Sequence, residues 1–108
     1  MDQRVDRVIV YIRKNYRRKL TLAEMADGVN LSRLRLSHLF KVHTGTSPER
    51  FLNKVRMEKA KHLLETEFLT VKEVMSQVGV SDASYFTRRF KEAVGVTPGK
   101  LRRGTKKQ

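Results

Sequence analysis

The sequence predicts an all-α fold built from two helix-turn-helix units joined by a long helix. Three observations predict it. Apolar residues recur at helical spacing, and no segment alternates with the period of a strand. Thr21 with Glu24, and Thr70 with Glu73, have the spacing of capping boxes, in which a hydroxyl and a carboxylate satisfy first-turn amides reciprocally. Finally, the stretch from Leu20 to Pro48 is written again from Leu69 to Pro98, as a duplicated supersecondary unit would be.

Taken in chain order, Val5, Val8, Ile9, Ile12 and Tyr16 fall at i, i+3, i+4, i+7 and i+11, the stripe of an amphipathic helix with its apolar face in a core. Thr21 then opens a short helix. Leu20, Thr21, Glu24, Val29 and Ser32 return as Leu69, Thr70, Glu73, Val78 and Ser81 at an offset of 49. After one inserted residue, Phe40, Lys41, Gly45 and Pro48 return as Phe90, Lys91, Gly95 and Pro98 at an offset of 50. The first offset makes Asn30 equivalent to Gly79, and Asn and Gly most easily take the left-handed backbone angle of a tight helix-to-helix turn. Ser47 before Pro48, and Thr97 before Pro98, read as N-caps followed by Pro at the first helical position. From Pro48, the residues Phe51, Leu52, Val55, Ala60, Leu63 and Leu64 sustain a helix to about Glu65, roughly 27 Å long at 1.5 Å per residue. The expected division is residues 1–46 for the first unit, 47–66 for the linker helix and 67–108 for the second unit with a basic tail. That tail, KLRRGTKKQ, is expected to fray.

The chain has 108 residues, enough for one domain or two very small ones, and too few for a large enclosed active site. Its formal charge is +13, with 24 Lys and Arg against 11 Asp and Glu, which points to a polyanionic partner. Nucleic acid is the first candidate. An anionic membrane fits less well, because the apolar stripe of the first helix is already used and the cluster Arg13, Lys14, Arg17, Arg18 and Lys19 has no Trp or Phe beside it to insert. That cluster reads as a solvated rim that helps hold phosphates. The absence of cysteine excludes disulfides, thiolate metal sites and a Cys nucleophile. No apolar run approaches the ~18 residues of a membrane span, and a cytoplasmic protein is expected.

Unrolled at about 100° per residue, the second helix of each unit separates two faces. In the first, Leu36, Leu39, Phe40 and His43 form the apolar arc, and Arg33, Leu34, Ser37, His38 and Lys41 lie opposite. In the second, Ala83, Phe86, Phe90 and Ala93 form the arc, with Ser84, Tyr85, Thr87, Arg88 and Lys91 outside it. Such outer faces suit a DNA major groove, where Arg forks onto guanine, hydroxyls donate or accept, and an apolar group meets a thymine methyl. His38, His43 and His62 lack metal-ligand spacing, no phosphate loop or framed acidic pair is present, and neither a catalytic residue, a metal nor a cofactor is expected. His43 is expected to pack and His62 to be solvated.

These residues match a known pattern. The segments LTLAEMADGVNLSRLRLSHLFKVHTGTSPERFL, VRMEKAKHLL and LTVKEVMSQVGVSDASYFTRRFKEAVGVTPGKLR resemble the AraC/XylS family of bacterial transcription regulators over nearly the whole chain, from about Thr21 to Arg102. Departures from the family's frequent residues occur at Met75, Val80 and Leu101, all packing positions. The resemblance implies seven helices, with two recognition helices entering successive major grooves of double-stranded DNA. It carries base reading onto Arg33, Leu34, Ser37 and His38, and onto Ala83, Ser84, Tyr85 and Arg88; the helix faces select all of these except Ala83. Lys41 and Lys91, with the caps at Ser47 and Thr97, are the phosphate candidates. The expected function is sequence-specific regulation of transcription, with RNA polymerase as a second candidate partner. As this chain it is expected to be a monomer, and a dimer is open to a longer parent protein. The competing reading is a sequence-neutral architectural DNA-binding protein.

Overall fold

The computed structural model describes residues 2–106, with side chains through Arg102. Among these residues there are seven helices and no strand: α1 (Gln3–Asn15), α2 (Leu22–Asp27), α3 (Arg33–Thr44), α4 (Pro48–Thr66), α5 (Val71–Val78), α6 (Ala83–Val94) and α7 (Pro98–Lys106). They fall into two compact units, residues 1–55 and 56–108, and α4 runs through the division without a break.

In the first unit, α1 and α2 each pack on α3. The predicted stripe of α1 delivers Val5, Val8 and Ile12 to a core that also holds Met25, Leu36, Phe40, Leu52 and Val55. Phe51 closes it edge-on against Phe40, with ring centroids 5.6 Å apart. The polar edge is fastened by Glu24. One carboxylate oxygen accepts from the Thr21 amide in the capping box at 3.1 Å, and the other from the Tyr11 hydroxyl at 2.7 Å and from Arg18 at 2.9 Å. These donors hold the Glu24 carboxyl down from 4.5 to about 2, the Arg18 hydrogen bond being the largest influence. One side chain thus closes the N-terminus of α2 and ties it to α1.

In the second unit, α5, α6 and α7 pack mutually. Met57, Ala60 and Leu64 of α4, Val74, Met75 and Val78 of α5, and Phe86 and Phe90 of α6 are buried. By the offset of 50, α7 is the counterpart of the start of α4, Pro98 standing where Pro48 stands. The Arg102 guanidinium donates to the Leu69 carbonyl just before the second capping box. The tail expected to fray is helical to Lys106, and Lys107 and Gln108 lie outside the described residues. Its helix starts well: Pro98 stands at the first position, and the Thr97 hydroxyl accepts from the Lys100 amide at 3.2 Å.

The two turns solve one geometric problem with different residues. Asn30 has φ 58° and Gly79 has φ 79°, both left-handed as the first offset requires. The chain then folds back identically: the Leu31 amide donates to the Ala26 carbonyl, and the Val80 amide to the Met75 carbonyl, each at 3.0 Å. After that the units differ. Ser32 caps α3, but Asp82, not Ser81, caps α6. The inserted residue therefore lies in the turn, between Val80 and Asp82, and from the caps onward the offset is 50. The letter match of Ser32 with Ser81 is not a structural equivalence.

Candidate nucleic-acid interface

α3 and α6 have the same length, begin at a side-chain cap, and end at left-handed Gly45 and Gly95, whose amides close on Lys41 and Lys91. Each anchors itself by two buried side chains, Leu36 and Phe40 in α3 and Phe86 and Phe90 in α6. Everything else on these helices is exposed or half-buried, so the burial leaves a broad free face on each.

Of the first set of expected reading residues, Arg33, Leu34 and His38 are exposed and Ser37 is half-buried. Leu34 is 83% exposed, an apolar surface left to water that a thymine methyl would cover. Of the second set, Ala83, Ser84 and Arg88 are exposed and Tyr85 is half-buried. Lys41 and Lys91 are exposed in the last turns. Ser47 and Thr97 are half-buried, and their hydroxyls accept the Arg50 and Lys100 amides at 3.2 Å, which orients the opening turns of α4 and α7.

Three residues differ from the helical-wheel reading. His43, expected to pack, is exposed, as are Ala83 and Ala93 of the expected apolar arc. The angles are right but the depth is not: these residues occupy the end turns of their helices, beyond the buried pair in the middle. The exposure of Ala83 leaves its side chain accessible to a partner. His62 is exposed as expected.

The offset of 50 also exposes two omissions. It pairs Ser37 with Thr87 and Arg35 with Tyr85, so each unit offers an exposed residue, Thr87 and Arg35, that the expected reading set lacks.

Charge differs between the two helix starts. The neutral Ser32 hydroxyl accepts from the Arg35 amide at 3.1 Å, whereas the Asp82 carboxylate accepts from the Tyr85 amide at 2.9 Å. The positive end of α3 is thus left available to an anion, and that of α6 is compensated by its own carboxylate. On α6, the Arg89 guanidinium lies 5.4 Å from the Tyr85 ring centroid and 2.8 Å from a Glu92 carboxylate oxygen.

Two small helical units, each with a capped helix turning into a second helix that bares a polar and basic face, define a double helix-turn-helix DNA-binding domain. Comparison with known proteins agrees. The family described as Helix-turn-helix domain matches residues 25–104. The raffinose operon transcriptional regulatory protein RafR of Pediococcus pentosaceus is 36% identical over 95 residues, covering 88% of this chain and 34% of that protein. The HTH-type transcriptional activator RhaS of Escherichia fergusonii is 30% identical over 103 residues, covering 95% of this chain and 37% of that protein. Among solved structures, the C-terminal domain of AraT, a response regulator from Geobacillus stearothermophilus, superposes with a TM-score of 0.89 at 38% identity, covering 95% of this chain and 86% of that one. The chain belongs to the AraC/XylS family of helix-turn-helix transcription regulators, as a sequence-specific DNA-binding domain. It spans 34% and 37% of the length of the two curated relatives. No described helix is long and apolar enough to cross a membrane.

Proposed function

We propose that this chain reads two adjacent major-groove segments of an operator, one with α3 and one with α6, and thereby regulates a promoter. Arg33, Leu34, Ser37 and His38 read bases in the first segment, and Ala83, Ser84, Tyr85 and Arg88 in the second. Lys41 and Lys91 hold phosphates at the far ends of the same faces, and the first-turn amides behind Ser47 and Thr97 add to them. The observation that carries this reading is that the two free faces have the same frame but unlike residues. Leu34 and His38 of the first stand where Ser84 and Arg88 stand in the second. A protein that bound by charge alone would have no use for that difference.

Activation is the mode that the name of one relative, the activator RhaS, supports. Contact with RNA polymerase is the simplest route to it. The chain acts in the cytoplasm and binds as a monomer, with any dimerisation left to the rest of a longer protein.

The test is selection of binders from a random duplex library at about 150 mM salt, where non-specific phosphate contacts are weakened. Two short motifs about one helical turn, ~34 Å, apart are expected. One motif alone would reduce the other unit to a backbone clamp, and no enrichment would favour the architectural reading.

A further inference from the structure

On the free face of α6, three side chains are linked in a row. Tyr85, Arg89 and Glu92 stand at i, i+4 and i+7, so they rise along one stripe of the helix. The Arg89 guanidinium sits over the Tyr85 ring at 5.4 Å and donates to Glu92 at 2.8 Å. Burial pushes Arg56 of α4 below its usual range, and the Tyr85 phenol acts on it in the opposite sense.

Stability does not explain this row. Arg89 is 40% and Glu92 is 65% exposed, and exposed ion pairs contribute little to folding. Nor is it a by-product of the duplicated fold, because the equivalent positions of α3 carry Arg35, Leu39 and Val42, which form no such row. Arg89 is also poorly placed to serve as a phosphate contact, since the Glu92 carboxylate already takes one end of its fork. What the arrangement does is fix the direction of a half-buried aromatic ring beside Arg88, at a helix start where base contacts are made.

We infer that Arg89 is a positioning residue for DNA reading, which with Glu92 holds the Tyr85 phenol preoriented on the face that meets the second operator segment. This rests on the proposed reading role of Tyr85. An unclamped ring would have to be ordered on binding, which weakens an interface by roughly two- to tenfold per side chain.

The experiment uses the full chain and the selected operator, with all four bases tried at each position of the second motif. Melting temperatures and affinity for random duplex serve as controls. Tyr85→Ala defines the positions that depend on the phenol. Arg89→Ala is expected to reduce discrimination at those positions by roughly two- to tenfold, to leave random-duplex affinity nearly unchanged, and to add little in the Tyr85→Ala background. Arg89→Lys keeps the charge but not the planar stack and is expected to behave like Arg89→Ala. Glu92→Gln, altered at an exposed position, is expected to give a smaller loss at the same positions. Equal weakening on operator and random duplex, restored by Arg89→Lys, would make Arg89 a phosphate contact and overturn the inference. Discrimination changed by Tyr85→Ala but not by Arg89→Ala would overturn it while keeping Tyr85 as a reader. No effect of Tyr85→Ala on base preference would remove the reading role itself, and the inference with it.

Discussion

Arg88 and Glu24 show how differently single residues serve this chain. Arg88 is exposed in the middle of the α6 face, where its guanidinium donates over a loose 3.4 Å to the Ser84 carbonyl of its own helix. It is therefore free to fork onto a base. Arg88→Ala is expected to cost on the order of 1–3 kcal/mol at the selected operator and little on random duplex, as measured by competition binding. Equal loss on both would reassign it to phosphate. Glu24 works inside the protein. Its carboxyl sits at about 2 in the folded chain against 4.5 ordinarily, so its contribution to stability is complete above pH 4.5 and is lost as the pH falls from there toward 2. Urea unfolding from pH 6 to pH 2 is expected to show that loss, and Glu24→Gln to flatten it. A residual slope should remain from Asp2, whose carboxyl Arg4 also holds at about 2. The role of Glu24 in a capping box is legible from four letters of sequence. Its bonds to Tyr11 and Arg18 are not, because those partners lie on a different helix and in the loop after it.

At the scale of elements, caps and turns were the most legible features, since each depends on residues within a few positions. Both capping boxes form, with the Glu24 and Glu73 amides donating to Thr21 and Thr70 at 3.1 Å. Thr21→Ala and Thr70→Ala should each lower stability by about 1 kcal/mol in thermal unfolding. The two left-handed turn residues were also legible, but they make different demands. Gly79→Ala is expected to cost roughly 1–2 kcal/mol through backbone strain, whereas Asn30→Gly should change stability by a few tenths at most. A larger loss for the Asn30 variant would mean that its side chain, and not its backbone angle, holds the turn. Less legible was the register after the turn. One residue inserted before Asp82 shifts every later position, and repeated letters cannot locate it because Ser81 and Asp82 are both acceptable caps. The cap hydrogen bond decides, and it pairs Arg35 with Tyr85 and Ser37 with Thr87.

For the molecule as a whole, the charge of +13 predicts binding that weakens steeply with salt. Removing Lys41 or Lys91 is expected to lower the slope of log affinity against log salt by about 1, on any duplex sequence. An unchanged slope would take that lysine out of the phosphate set. The duplication and helical periodicity determined the all-α class, the two helix-turn-helix units and the long α4, because local spacing alone dictates which residues can share a helix face. The same spacing could not say how far along each helix burial extends. Only tertiary packing decided that His43, Ala83 and Ala93 stay exposed, that α1 and α7 complete the two units from opposite ends of the chain, and that Glu24 fastens α1 to α2. Burial and long-range hydrogen bonds depend on which elements meet, and an angle on a helical wheel carries no information about a neighbour.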